Sequence, residues 1–371
     1  MNPANQTYEP GTHPDLPPPS SAVGAVAWMR QHLFSGPWNT ILTLLAAYLL
    51  YLVIPPIIRW VFVDADLSGD TREACTSGGA CWVFIKARFA QFMYGFYPIE
   101  ERWRVDLTFI IFFAVLIPMM FERMPGRKWL TVFLLFVFPI IAFFLLYGGS
   151  FGLAVVETPR WGGLMLTLVI AVIGIVASLP IGVVLALGRR SNMPIVRTIC
   201  VIFIEFWRGV PLITVLFMAS VMFPLFMPEG ANFDKLLRAL IGVMLFSAAY
   251  MAEVIRGGLQ AIPKGQYEAA EAMGLGYWRV MGLVILPQAL KMVIPGIVNT
   301  FIGLFKDTTL VLIIGLFDFL GSVQSGLTDP NWLGMAVEGY VFAAVVYWIF
   351  CFGMSRYSIH VENKLATGHN R

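Results

Sequence analysis

Charge is what this sequence has least of. Asp, Glu, Lys and Arg make up 13% of its 371 residues, about half the share usual in a soluble domain. So few charges cannot coat the surface of a chain this long, which excludes a soluble protein of one or two domains. Histidine is scarcer still: His13, His32, His360 and His369 are the only four, and none falls in a predicted span. That excludes a His-based metal site or general base within the membrane, so neither catalytic residues nor a metal site are expected. A net charge of +3 gives no reason to expect a nucleic-acid partner. No GxxxxGK[ST] phosphate loop occurs, and residues 1–20, polar and rich in Pro, read as a disordered tail rather than a cleavable signal.

Cysteine is also sparse. Cys200 and Cys351 sit singly in apolar runs, where a thiol behaves as a small hydrophobe. Cys75 and Cys81 share the longest polar loop, without the second CxxC or His pair that a zinc site needs. Gly78 and Gly79 between them permit a tight reversal, so in an oxidising compartment a disulfide is expected.

What the chain has in quantity is hydrophobic residues, 58% of the total. They recur in runs of bilayer-spanning length, each of which must satisfy its own backbone hydrogen bonds as a helix. The reading is an all-α integral membrane protein of about eight transmembrane helices, at 39–63, 105–121, 129–147, 161–188, 195–226, 237–256, 288–305 (bending onward through 317) and 335–354. A short amphipathic surface helix precedes them at 24–37, ended by Gly36-Pro37. The stretch 64–104 reads as a polar loop. Arg123, Arg127 and Lys128; Arg189, Arg190 and Arg197; Arg256, Lys264, Arg279 and Lys291; and the tail with Arg356, Lys364 and Arg371 all fall on one side if the spans alternate. By the positive-inside rule that side is cytoplasmic, with both termini inside and the 64–104 loop outside. No inverted repeat of the secondary-transporter kind is evident.

The segment 257–287 is too polar to span. Within it Ala270, Met273, Gly274 and Tyr277 follow i, i+3, i+4, i+7 spacing, an apolar stripe with Glu268 and Glu271 facing away. Gly274 is expected to allow close approach of another backbone. Such a helix suits a groove on a partner, or equally the lipid surface, although surface helices favour Lys and Arg.

Ionisable and amide residues within spans are costly and point to function. Glu205 lies roughly 16 Å into the fifth span at 1.5 Å per residue, with Arg208 three residues on. Their pairing serves structure as readily as transport. Asn299 lies at similar depth, beside Pro295 and Gly296, which are expected to loosen the helix. Lys306 and Asp307 lie nearer the outer face, at a gate or as a snorkelling Lys with its counter-charge. A zwitterionic substrate needs groups of both preferences, and these five supply them. In the fourth span Gly174, Ser178, Gly182 and Ala186 form a small-xxx-small face, open to a partner or to the chain's own helices.

Glu268-Ala269-Ala270, then Gly274, then Leu286-Pro287 resembles the EAA loop of importer-type ABC transporter permeases, with Val284 where Ile is usual. PheTrpArgGlyValProLeu (206–212), AlaGluValIleArgGlyGlyLeuGln (252–260) and LysAspThrThrLeu (306–310) are similar to the polar amino-acid permeases of the histidine/glutamine group, with Val210 and Thr309 as small departures. The resemblance covers roughly 155–365. Three extra spans, the outer loop and the Pro-rich tail look like the larger permease subunit of general L-amino-acid importers. It implies a five-helix permease core at 151–371, three additional helices at 39–150, and a cytoplasmic tail and surface helix at 1–38. It also implies a multi-pass protein of the bacterial inner membrane, a second permease subunit as heterodimer partner, two ATPase subunits and a periplasmic amino-acid-binding protein. Glu268, Ala269, Ala270, Met273, Gly274 and Pro287 would couple to the ATPases. ATP and Mg would bind there, leaving this chain with no cofactor of its own and membrane lipid as its other neighbour. The alternative, an ion-coupled secondary transporter of small polar solutes, is weakened by the EAA loop and by few intramembrane carboxylates.

Overall fold

The computed structural model describes residues 24–366 except 122, 123, 125 and 229–232. The Pro-rich tail, Arg123, the Glu229-Gly230 turn and Arg371 lie outside the described residues. Two units are distinguished, one of residues up to Leu67 with Cys75–Ala80, the other of Ser68–Ala74 with Cys81 onward.

In the first unit α1 (Ala25–His32) precedes α2 (Pro37–Ile58). Pro37 opens α2 at a position where its missing N–H costs nothing. Pro55 and Pro56 withhold two donors near its end, and the helix widens through Arg59–Val63 to i→i+5 bonding. No side chain of α2 is buried. The 75–80 segment is tied back by the Ala80 N–H on the Trp60 carbonyl and by Ser77 on Asp66.

The second unit opens with a departure from the expected polar loop. Within 64–104 lies α3 (Trp82–Tyr94), with Val83, Phe84, Ile85 and Phe92 buried. Phe84 meets Phe92 edge-on at 5.6 Å between centroids and lies 5.6 Å from Trp332. At 13 residues this helix is too short to span, and its apolar face is matched to protein rather than lipid. Next comes α4 (Arg102–Met120), which with the turn from Ile99 gives a span of 22 residues. The short run expected at 105–121 is thus lengthened by a charged first turn, where fully buried Arg104 donates to Glu101 at 2.7 Å and to the Ala154 carbonyl at 2.9 Å. The third span, Arg127–Tyr147, comprises α5 (Arg127–Val132) and α6 (Phe138–Tyr147) joined by a wide turn.

Next is α7 (Gly163–Arg189), then α8 (Pro194–Gly209) and α9 (Leu212–Phe217). The span expected at 195–226 is present as a sharply bent pair. Pro211 forces Val210 into extended backbone (φ −106°, ψ 132°), and Pro194–Gly209 and Leu212–Phe226 meet at 100°. The next helix, α10 (Lys235–Ala261), is capped by the Asp234 carboxylate on the Leu237 N–H. It packs along α7 in parallel. A methyl at Gly174 would touch Val243 and one at Gly182 would strike Met251, while Arg190 reaches the Leu259 carbonyl. Each pair is 69 positions apart. The small-xxx-small face is therefore consumed inside the chain: Gly174, Ser178, Gly182 and Ala186 are all buried.

Beyond it lie α11 (Lys264–Ala272), α12 (Tyr277–Arg279), α13 (Leu286–Met292) and α14 (Ile294–Asp307), the last continued by a tighter turn to Ile314. The seventh span thus begins at Ile294, and Pro295 starts α14 instead of loosening it. Two helices complete the chain, α15 (Phe319–Leu327) and α16 (Ala336–Ala366). Among the described residues seven helices are long and apolar enough to cross a membrane, and the bent pair makes an eighth if counted as one span. No strand occurs among the described residues.

Candidate functional site

Two polar constructions occupy the end of the molecule at which α7 finishes. The first is α11 and its surroundings. Pro263 precedes the helix in extended conformation, and the helix stops after one short run. The Leu275 N–H bonds the Ala270 carbonyl and the Gly274 N–H bonds the Glu271 carbonyl, the paired closure of a Schellman motif. Gly274 has φ +75°, and a methyl there would meet nothing within 4 Å. Its role is therefore conformational, not the close approach expected from the sequence. The predicted stripe also divides. Ala270 is buried among Leu259, Ile262, Val280 and Ile285, whereas Met273 and Tyr277 are exposed, Met273 to 80%. A helix that ends at Ala272 cannot hold all four on one face. The outward surface carries Glu268, Ala269, Glu271, Met273 and Trp278.

Arg190 pins this helix. Its guanidinium donates to the Leu259 carbonyl at 2.7 Å and to the Tyr267 hydroxyl at 3.1 Å, and lies 5.7 Å from the centre of the Tyr267 ring. The Tyr267 hydroxyl in turn donates to the same carbonyl at 3.2 Å. On the other side Gln288, next to Pro287 at the start of α13, donates to Gln266 at 3.2 Å.

The second construction is a charge cluster. Arg189 lies 2.8 Å from Glu205 and 2.8 Å from Glu253, the latter without hydrogen-bond alignment. Glu253 also meets Arg256 at 2.7 Å and Arg208 at 3.7 Å. Arg208 rests 5.7 Å from the Tyr250 ring centre. Glu205 is thus half exposed beside the last residue of α7, not paired with Arg208 in the middle of a straight span. The bend after α8 is the physical reason, since it removes the geometry on which that depth was counted. Glu253 is the hub, and it was visible in the sequence: Glu253 and Arg256 have the same i, i+3 spacing in an apolar run as Glu205 and Arg208.

Asn299 and Lys306, seven residues apart on α14, share an exposed face, and Asp307 is half buried beside them. Among the described residues no hydrogen bond or ion pair joins these three to Glu205 or Arg208. A further acid had no signal in the sequence beyond its place before α15. Fully buried Asp318 accepts from the Gly321 N–H at 2.9 Å, the Leu320 N–H at 3.3 Å and the Tyr347 hydroxyl at 3.1 Å. Burial pushes its carboxyl up to about 6, against the pull of those donors. Cys75 and Cys81 are both disulfide-bonded. No group of three His, Cys, Asp or Glu able to hold a metal occurs among the described residues.

Residues 178–366 match the family described as binding-protein-dependent transport system inner membrane component. The chain is 58% identical over 357 residues to the inner membrane amino-acid ABC transporter permease protein YhdY of Escherichia coli, covering 96% of this chain and 97% of that one. It is 42% identical to the glutamate/glutamine/aspartate/asparagine transport system permease protein BztC of Rhodobacter capsulatus, covering 95% and 96%. Among solved structures, an amino acid ABC transporter with histidines is 28% identical, covers 54% of this chain and 92% of its own, and has a TM-score of 0.48.

Proposed function

The chain belongs to the family of binding-protein-dependent transport system inner membrane components and is a membrane permease subunit of an ABC importer, and from that premise we propose that it carries polar amino acids. The name of the first relative supports an amino-acid substrate and that of the second a polar one, as do cationic and anionic side chains placed within or beside the spans. The spans 39–150 are additions to a permease core at 151–371, preceded by the tail and surface helix of 1–38.

The observation that carries the mechanism is α11. It is a short helix, stopped by a glycine at positive φ, held to the ends of α7 and α10, and showing acids and apolar side chains outward. Such an element suits a groove on an ATPase subunit. Two ATPases would each receive one such helix, from this chain and from a second permease subunit. They would bind ATP and Mg and do the hydrolysis, leaving this subunit no chemistry on its substrate. A periplasmic binding protein would deliver the amino acid. Glu268, Ala269, Met273 and Gly274 face the ATPase in this reading, with Ala270 and Pro287 holding the helix from behind. This orientation puts both termini and α11 in the cytoplasm and the 64–104 segment outside, in keeping with the basic residues at the inner ends. Glu205, Arg208 and Glu253 would border the inner exit of the pathway, and Asn299, Lys306 and Asp307 a more outward part.

The test is reconstitution of the whole transporter with wild-type or Glu268→Lys permease. Loss of ATPase retention and of substrate-stimulated hydrolysis, at unchanged membrane abundance, is the expected result. Full coupling in that variant would remove α11 from the mechanism.

A further inference from the structure

The last two residues of the α7 tip point in different directions. Arg190 reaches α11 through Tyr267 and the end of α10 through the Leu259 carbonyl. Arg189, its neighbour, reaches Glu205 on α8 and Glu253 on α10. One peptide bond therefore joins the helix proposed to meet the ATPase to the charge cluster beside the bend after α8. The geometry points to Arg190 as a positioning residue for coupling: it fixes α11 to the α7 tip, so that displacement of α11 moves Arg189 and the Glu253 cluster with it. This rests on α11 being the coupling helix.

The chemistry of the contact suits that task. A guanidinium is planar and donates along fixed directions, so two bonds and a ring face together define an orientation as well as a distance. A lysine ammonium at the same place keeps the charge but loses the plane. Carbonyl groups at the end of α10 have no partner within their own helix, and Leu259 finds one in Arg190. Nothing else in the described hydrogen bonding of α11 reaches α7. Arg190 is itself exposed, so its truncation leaves the packed core intact and separates a coupling role from a folding one.

The experiment measures amino-acid uptake per ATP hydrolysed, and retained ATPase, in proteoliposomes of the complete transporter. Arg190→Ala should lower uptake per ATP about fivefold while ATPase retention stays at the wild-type level. Tyr267→Phe, which keeps the ring but not the hydroxyl, should fall between wild type and Arg190→Lys, and Arg190→Lys between that and Arg190→Ala. A wild-type ratio in Arg190→Ala overturns the inference. So does loss of the ATPase from that variant, because Arg190 would then serve docking instead of transmission. Failure of the underlying reading shows separately: Gly274→Asp would keep its ATPase and its uptake whatever the Arg190 variants did.

Discussion

The Glu253 carboxylate lies 2.8 Å from the Arg189 guanidinium, across the seam between α10 and α7. Its side chain is 15% exposed and it faces two further arginines, Arg208 and Arg256. Neutralising it leaves three guanidinium groups facing one another around a partly buried gap. Glu253→Gln should destabilise the subunit by about 2 kcal/mol, the usual cost of removing the charged partner of such bonds. Membrane abundance and uptake should both fall, and Arg189→Gln in the same chain should restore part of the abundance. A double-mutant cycle on abundance with no interaction term would show that the two charges act separately.

Glu205 predicts the contrary. Its side chain is 53% exposed and has Arg189 as its ion-pair partner, an arrangement worth about 0–1 kcal/mol. Glu205→Gln should insert at normal levels, and any loss should appear in uptake alone. Poor expression of this variant would mean that the carboxylate is more deeply committed than its exposure indicates.

Gly274 separates backbone from charge. At φ +75° asparagine is tolerated and a β-branched residue is strained. Gly274→Asn should retain most coupling, Gly274→Asp less because of its charge, and Gly274→Val least. ATPase retention across the three variants is the measurement. Equal behaviour of Val and Asn would show that the turn does not set the end of α11.

Asp318 gives a pH signature. Its folded carboxyl titrates near 6, above the ordinary carboxylate range, so the folded state holds the proton more tightly than the unfolded chain. Ionisation therefore costs stability in full above pH 6, and the cost fades as pH falls from 6 toward 4. Asp318→Asn keeps a capping side chain without the charge. Its apparent unfolding temperature should exceed wild type at pH 7.5, by the equivalent of about 3 kcal/mol, and converge with it near pH 4. A difference constant across that range would refute the assignment.

Cys75 and Cys81, being disulfide-bonded, should resist thiol reagents in the unreduced protein. After reduction an impermeant reagent applied to intact cells stripped of their outer membrane should label Cys75, which is partly exposed, ahead of Cys81, which is buried. Labelling only from the cytoplasmic side would reverse the proposed orientation.

The spans were legible because length and apolarity are properties of a single run of sequence. The motif at 268–287 was legible for its order and spacing. What escaped depends on distant partners. Nothing near Gly182 says that Met251 fills its face, and α3 is too short and too charged, with Lys86 and Arg88, to register as anything but loop. The break at Val210-Pro211 was different, because its signal was local. A residue before proline avoids helical backbone, and the apolar run across it concealed the bend. The acid at 253 was read as part of a subfamily signature and so was given no role of its own.

The constant offset of 69 positions between α7 and α10 makes the two helices a single keyed plank. Gly174 with Val243, Gly182 with Met251 and Arg190 with Leu259 recur every eight residues, so the notches engage in phase along the whole seam. Deleting one residue from either helix between the first notch and the last would turn everything beyond it by about 100°. The small residues would then swing away from the side chains they receive, and the arginine tip would leave the helix it holds. A side chain added at Gly182 would force Met251 aside at that one notch, whereas a change of length would put every notch beyond it out of phase.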